Sequence, residues 1–192
     1  MSRVEAIIKF WFGAAGSENY GCYRPWWFLA SPETDQQIQS SFANDYEFAA
    51  AGYLDGWQGW PWSCLALILL LDQIPRNLFR GQPETFATDV AALEIAKQAI
   101  LHSVDQEFLP VQRWFFYLPL EHSENLADQV QCLELFLSLP EHPDKHFAVA
   151  AAQQHHQIIK EFGRFPHRNQ VLGRVSTSAE LAYLEQPDAF RL

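Results

Sequence analysis

The sequence predicts an all-α fold of about eight to ten helices, on three observations. No segment sustains a two-residue alternation of apolar and polar residues between hairpin turns. Helix starts and stops punctuate the chain, as in Ser31-Pro32-Glu33 and the glycines that follow apolar runs. Where a run is long, its apolar residues recur at the helical period. The 192 residues hold no glycine-rich linker, charge block or rigid 34-residue repeat. They read as one domain spanning residues 1–192.

Each element follows from its own residues. Residues 4–12 carry apolar positions on one side and stop at Gly13, a C-terminal cap. Ser31 caps a helix with proline at its first position. Ile38, Phe42, Tyr46 and Ala49 follow at helical spacing, and Gly52 ends the run. Residues 53–61 are a Gly/Trp-rich connection. Trp57, Trp60 and Trp62 there, with Trp26 and Trp27 earlier, read as core filling and loop anchors or as an aromatic ligand wall. Residues 61–72 form a buried, Leu-rich helix. Pro75 ends or kinks it, because proline disfavours the helical conformation at Ile74. Residues 86–102 place Val90, Leu93, Ala96, Ile100 and Leu101 at helical spacing. Residues 110–118 make a short aromatic helix. Ser123 caps 124–137, and Asp144 caps a helix that runs to Phe162 and closes at Gly163. Pro166 opens a short helix to Leu172, with Gly173 as its cap. Thr177-Ser178-Ala179-Glu180 is a capping box for the last helix.

Composition limits the function classes. Hydrophobic residues make up 48%, with 7 Trp, 15 Phe and 6 Tyr, which is ample material for a core and unlike a disordered chain. The net charge of −10 repels phosphate backbones and anionic headgroups, so neither nucleic acid nor membrane is expected as a partner. Cys22, Cys64 and Cys132 are odd in number and far apart, which suits free thiols in a reducing cytoplasm. The N-terminus lacks a signal-peptide core, and the longest apolar run, residues 64–71, is far shorter than the ~20 residues of a membrane span. A soluble, cytoplasmic protein is the expectation.

Two segments concentrate the chemistry: residues 72–81, Asp-Gln-Ile-Pro-Arg-Asn-Leu-Phe-Arg-Gly, and residues 162–169, Phe-Gly-Arg-Phe-Pro-His-Arg-Asn. Arg76, Arg80, Arg164, Arg168 and nearby Arg174 are five of only 13 lysines and arginines. Either they pair with internal carboxylates or they receive an anion. In a short helix begun by Pro166, the N-terminal turn with His167, Arg168 and Asn169 would attract an anion. Arg164 and Arg168 would clamp it bidentately, and Arg76 and Arg80 would complete the positive wall. Asp72 lies four residues before Arg76, either as a clasp across the Pro75 kink or as a support that positions Arg76 for a ligand. The candidate ligand-binding set is Asp72, Gln73, Arg76, Asn77, Arg80, Glu124, His155, Arg164, His167, Arg168, Asn169 and Arg174.

Glu121-His122-Ser123-Glu124 has the residue types of acid–base chemistry. Candidate catalytic residues are His122, Glu121, Glu124 and His167; Ser123 reads as a helix cap rather than a nucleophile. His142 and His146 are split by Pro143, His155 and His156 point apart on a helix, and no His-Glu-x-x-His pattern occurs. No metal and no cofactor is expected.

Several motifs occur together, in one order: Phe10-Trp-Phe-Gly13, residues 69–81, Phe86-Ala-Thr-Asp89, Leu118-Pro-Leu-Glu-His-Ser-Glu124, residues 162–169 and Leu172-Gly-Arg-Val-Ser-Thr177. On these the chain resembles bacterial domain-of-unknown-function family 924, over about residues 4–184. The resemblance implies a tetratricopeptide-like stack of helix pairs and supplies no activity. The leading functional expectation is therefore a binding domain for a small anionic molecule, carboxylate or phosphate, or an acidic peptide end. The alternatives are a hydrolase or lyase acting on such a molecule, with the arginines stabilising developing charge, and a helical scaffold for protein–protein interaction whose polar cluster is purely structural.

Overall fold

The computed structural model describes residues 1–187, 189 and 190. Its regular elements there are all helical. Helix α1 (Arg3–Phe12) starts at a Ser2/Glu5 capping box and ends at Gly13, whose φ of +86° suits a residue without a side chain. Helix α2 (Pro32–Ala50) is capped by Ser31 and buries Ile38, Phe42 and Tyr46. Helix α3 (Pro61–Ile68) continues through a π segment (Leu69–Gln73) into α4 (Ile74–Leu78). Then come α5 (Asp89–Leu101), α6 (Pro110–Glu121), α7 (Leu126–Ser138), α8 (Lys145–Phe162) and α9 (Ser178–Leu184).

Residues 64–71 are apolar on every side, so they must be surrounded. Helices α1, α2, α5 and α6 pack around this stretch, and all eight of its residues are buried. Each fully buried Leu or Ile there contributes roughly 1.5–3 kcal/mol. From α5 onward each helix packs on the next, α5 on α6, α6 on α7 and α7 on α8, and α9 leans on the turn at 166–168. Among the described residues no helix is long and apolar enough to cross a membrane.

Several local expectations give way to tertiary context. Ile74 is helical (φ −57°, ψ −40°) despite the proline after it. The wider π turn just before it takes up the disruption, so the chain continues to Leu78 instead of breaking. On α5, Val90 and Leu101 are exposed, while Ala92, Ile95, Ala96 and Ala99 form the buried face. The small residues let α5 lie close to α3. Helix α6 runs past Pro119 to Glu121. Ser123 is not a helix cap: Asn125 caps α7, its Oδ1 accepting from the Ala127 N–H, while Ser123 donates to Asp128. Asp144 stands at the start of α8 without a capping hydrogen bond from its side chain. The segment 166–172 holds only a 3₁₀ turn, Pro166–Arg168, whose following amides are taken by the Phe165 and Pro166 carbonyls. The anion-attracting helix terminus expected there does not form.

Candidate functional site

A cavity of about 390 Å³ opens between the α3–α4 stretch, the end of α6, α8 and the 166–168 turn. Its size lies within the ~300–1,000 Å³ of small-molecule sites. One side is aromatic and apolar: Tyr23, Trp27, Phe28, Trp114, Leu118, Phe136 and Phe147. The other is polar, built from Gln73, Arg76, Glu121, His122, His155, His167 and Arg168, with Asn77 and Arg80 at one edge.

The polar side begins with Asp72, which the π segment carries into the core at 0% exposure. One carboxylate oxygen faces His122 Nδ1 at 2.7 Å; the other accepts from Gln73 Nε2 at 2.6 Å. Burial works against the Asp72 charge. His122, Arg76 and these hydrogen bonds prevail and hold its pKa down at about 2. An ionised carboxylate only accepts, so Nδ1 of His122 carries the proton and Nε2 keeps its lone pair. Burial first, and Arg76 second, press the His122 pKa below its ordinary value, so the ring is neutral at pH 7.

Glu121 lies next to His122 at the end of α6, where Gln129 Nε2 holds the Glu121 and Ser123 carbonyls at 2.6 and 2.7 Å. Burial, reinforced by the Asp72 charge, raises the Glu121 pKa to about 8. Its Oε2 is buried without a partner, and Oε1 stands 3.4 Å from His155 Nδ1. His155 donates from Nδ1 to the Ala151 carbonyl. Burial takes both His155 and His167 down to about 3, so both are neutral.

Two of the cavity arginines, Arg76 and Arg168, are spent differently. Arg76 Nη1 donates to Asp89 at 3.0 Å and to the Thr85 carbonyl, with Asp72 3.6 Å from Nη2. Arg168 is only 7% exposed, yet it donates no hydrogen bond to any described residue. Its guanidinium lies over the rings of Phe165 and Phe86, 4.5 and 4.6 Å from their centroids. Asp89, already bonded to Arg76, is 3.5 Å from Nη1. Burial and the charge of Arg76 lower the Arg168 pKa to about 10, still charged at pH 7.

Of the sequence-predicted ligand set, Gln73, Arg76, Asn77, Arg80, His155, His167 and Arg168 line the cavity, as do Glu121 and His122. Asp72 lies directly behind them. The other four sit elsewhere, bound to internal partners. Glu124 accepts from both terminal nitrogens of Arg174 and from the Phe165 N–H. Arg164 is forked onto Glu180 through Nε and Nη2, and Asn169 donates to Ser176. The expected Arg164–Arg168 clamp is therefore absent. Arg80, though at the cavity edge, is forked onto Asp35, which also accepts from Asn77. Most of the tryptophans fill core or surface, but Trp27 reaches the cavity, with its Nε1 on the Trp11 carbonyl. The rest of the aromatic wall was missed. It is gathered from α6, α7, α8 and the 23–28 loop, and no local pattern marks it. The Asp72–His122 pair, 50 residues apart, was also missed. Among the described residues no three metal-ligating side chains are grouped as a metal site.

The model of a bacterial protein family of unknown function, DUF924, matches residues 7–188. Among solved structures, the protein of unknown function ATU0120 from Agrobacterium tumefaciens superposes with a TM-score of 0.83. It is 37% identical, with 95% of this chain and 96% of that one covered. No curated protein matches.

Proposed function

The chain belongs to the bacterial DUF924 family, whose function is unknown, and we propose from the geometry of its cavity that it binds a small amphipathic anion. Arg168 carries this reading. A buried guanidinium with no hydrogen bond is costly unless something accepts from it. The nearest internal carboxylate, Asp89, gives one oxygen to Arg76; its other oxygen stands 3.5 Å from Arg168 Nη1 and accepts no hydrogen bond. The two rings against its faces leave its edge for a planar acceptor, and carboxylate or phosphate matches that fork. The fixed charges around the cavity balance, Arg76 and Arg168 against Asp72 and Asp89. An anion would thus be held by directed hydrogen bonds rather than by surplus charge. The aromatic side would take an apolar body, which favours an organic acid over inorganic phosphate. In this reading the pairs α5–α6 and α7–α8 act as a tetratricopeptide-like wall around the ligand.

Calorimetry with acetate, phenylacetate, octanoate and inorganic phosphate tests the proposal. Phenylacetate or octanoate should bind more tightly than acetate. Arg168→Met should weaken binding by roughly 10- to 150-fold, the worth of a charged hydrogen bond at ~1.5–3 kcal/mol. If melting collapses while affinity is untouched, the guanidinium is structural.

A further inference from the structure

Three residues of the polar cavity side keep unused hydrogen-bonding capacity: Arg168 in its donors, His122 in its second ring nitrogen and Glu121 in Oε2. The binding reading uses only the first. We infer that His122 and Glu121 form an acid–base pair that enolises a 2-oxo acid whose carboxylate lies on Arg168. This rests on the anion reading and goes beyond it, because it assigns a reaction.

The geometry supplies each role. His122 gives Nδ1 to a fully buried Asp72 at 2.7 Å, which fixes the tautomer and leaves the Nε2 lone pair as the base. Asp72 is a positioning residue in this scheme. Glu121 is adjacent in sequence and lines the same cavity. With its carboxyl buried and Oε2 unpartnered it is a neutral acid, able to donate to a developing oxyanion. A 2-oxo acid offers three matching groups on three consecutive carbons: a carboxylate for Arg168, a C2 carbonyl oxygen for Glu121 and a C3–H for His122. The aromatic side of the cavity would hold the chain beyond C3. Covalent catalysis finds less support. Among the described residues no serine or cysteine lines the cavity, and the Thr85 hydroxyl is committed to the Phe79 carbonyl.

The step balances without a co-reactant. His122 Nε2 takes the C3 proton as the C3–H bond breaks. That electron pair becomes the C2–C3 double bond, and the carbonyl π pair moves onto oxygen, which takes the Glu121 proton. The product is the enol. Proton transfer from imidazolium to carboxylate, directly or through water, resets the pair; the reverse path returns a solvent-derived proton to C3.

Exchange therefore reports the chemistry. Wild-type protein with 2-oxo-4-phenylbutyrate in D2O should speed deuterium incorporation at C3, followed by proton NMR, well above the protein-free rate. His122→Asn and Glu121→Gln should each lose about 10²–10⁴-fold of that enhancement while calorimetry shows the acid still bound. Asp72→Asn should lower kcat with little change in KM. The rate should fall on the acid side as His122 protonates and on the alkaline side as Glu121 ionises. The charged and titratable groups around the pair are Asp72, Arg76, Asp89, Cys132, His155, His167 and Arg168. Binding without exchange above background in the wild type overturns the enolisation and leaves the anion site standing. If neither this acid nor any of the simple carboxylates binds, both readings fall. Because the wild type alone decides the first point, a variant that does not fold cannot rescue the inference.

Discussion

Replacing Glu121 with glutamine makes its carboxyl neutral at every pH without changing its shape. The wild-type group has its pKa raised from 4.5 to about 8, by burial first and by the Asp72 charge second. The sign follows from linkage. A carboxyl whose folded pKa lies above its unfolded one favours the folded state in full below pH 4.5 and loses that favour as pH rises through about 8. At ~1.4 kcal/mol per pH unit the rise amounts to at most about 5 kcal/mol. Water entry and local relaxation around a buried charge reduce it to about 3 kcal/mol. In a chain of this size 1 kcal/mol moves Tm by ~2–4 °C. Melting of wild type and Glu121→Gln from pH 5 to 9 should therefore give curves that nearly coincide at pH 5. They should diverge by roughly 6–12 °C at pH 9, with the variant the more stable. Subtraction removes the histidines, which are common to both proteins. Parallel curves across that range would refute the neutral, buried carboxyl and with it the acid role of Glu121.

Other perturbations probe separate parts of the fold and the cavity. His155, with its pKa driven down to about 3, lends stability above pH 6.5 that is lost as pH falls toward 3; His155→Leu should gain on wild type in urea titrations below pH 6. Arg164→Ala breaks the fork to Glu180 outside the cavity, so calorimetry should find ligand affinity unchanged and only a small drop in Tm. Asn125→Ala removes the α7 cap and should cost ~0.5–2 kcal/mol by chemical denaturation. Ser123→Ala tests the correction at that helix start: it loses only the bonds to Asp128 and the Asn125 N–H, and should cost less than the cap variant.

The candidate site was legible in pieces. Arg76, Arg168, His122 and Glu121 stand out in the sequence as residue types that carry chemistry, and all four meet at one cavity. Their division of labour was not visible. Arg164 and Arg168 look alike, four residues apart, but one is taken by Glu180 and the other donates no hydrogen bond to any described residue. The Pro75 signal held only in part: Ile74 stays helical, and the disruption falls just before it in the π segment. Here the burial of residues 64–74 holds the helix together, and a π turn takes up the strain. The 166–172 segment misled in the opposite sense. Proline can start a helix, but the Phe165 N–H is drawn to Glu124 and Arg174 spans from Glu124 to the Phe165 carbonyl, and the chain stays a turn.

By itself the sequence determined the all-helical class, most helix ends and the absence of a charge surplus suited to polyanions. Caps, glycines and the helical period act over three or four residues, so neighbours along the chain suffice to read them. Only the tertiary structure decided which arginine was left over. Arg80, Arg164 and Arg174 met carboxylates 45, 16 and 50 residues away. Electrostatic pairing depends on distance through space and on which acceptors the fold brings within reach, and neither is written in local spacing. At Asp89 one oxygen binds Arg76 while the other stays 3.5 Å from Arg168, which is buried against two rings and donates no hydrogen bond to any described residue.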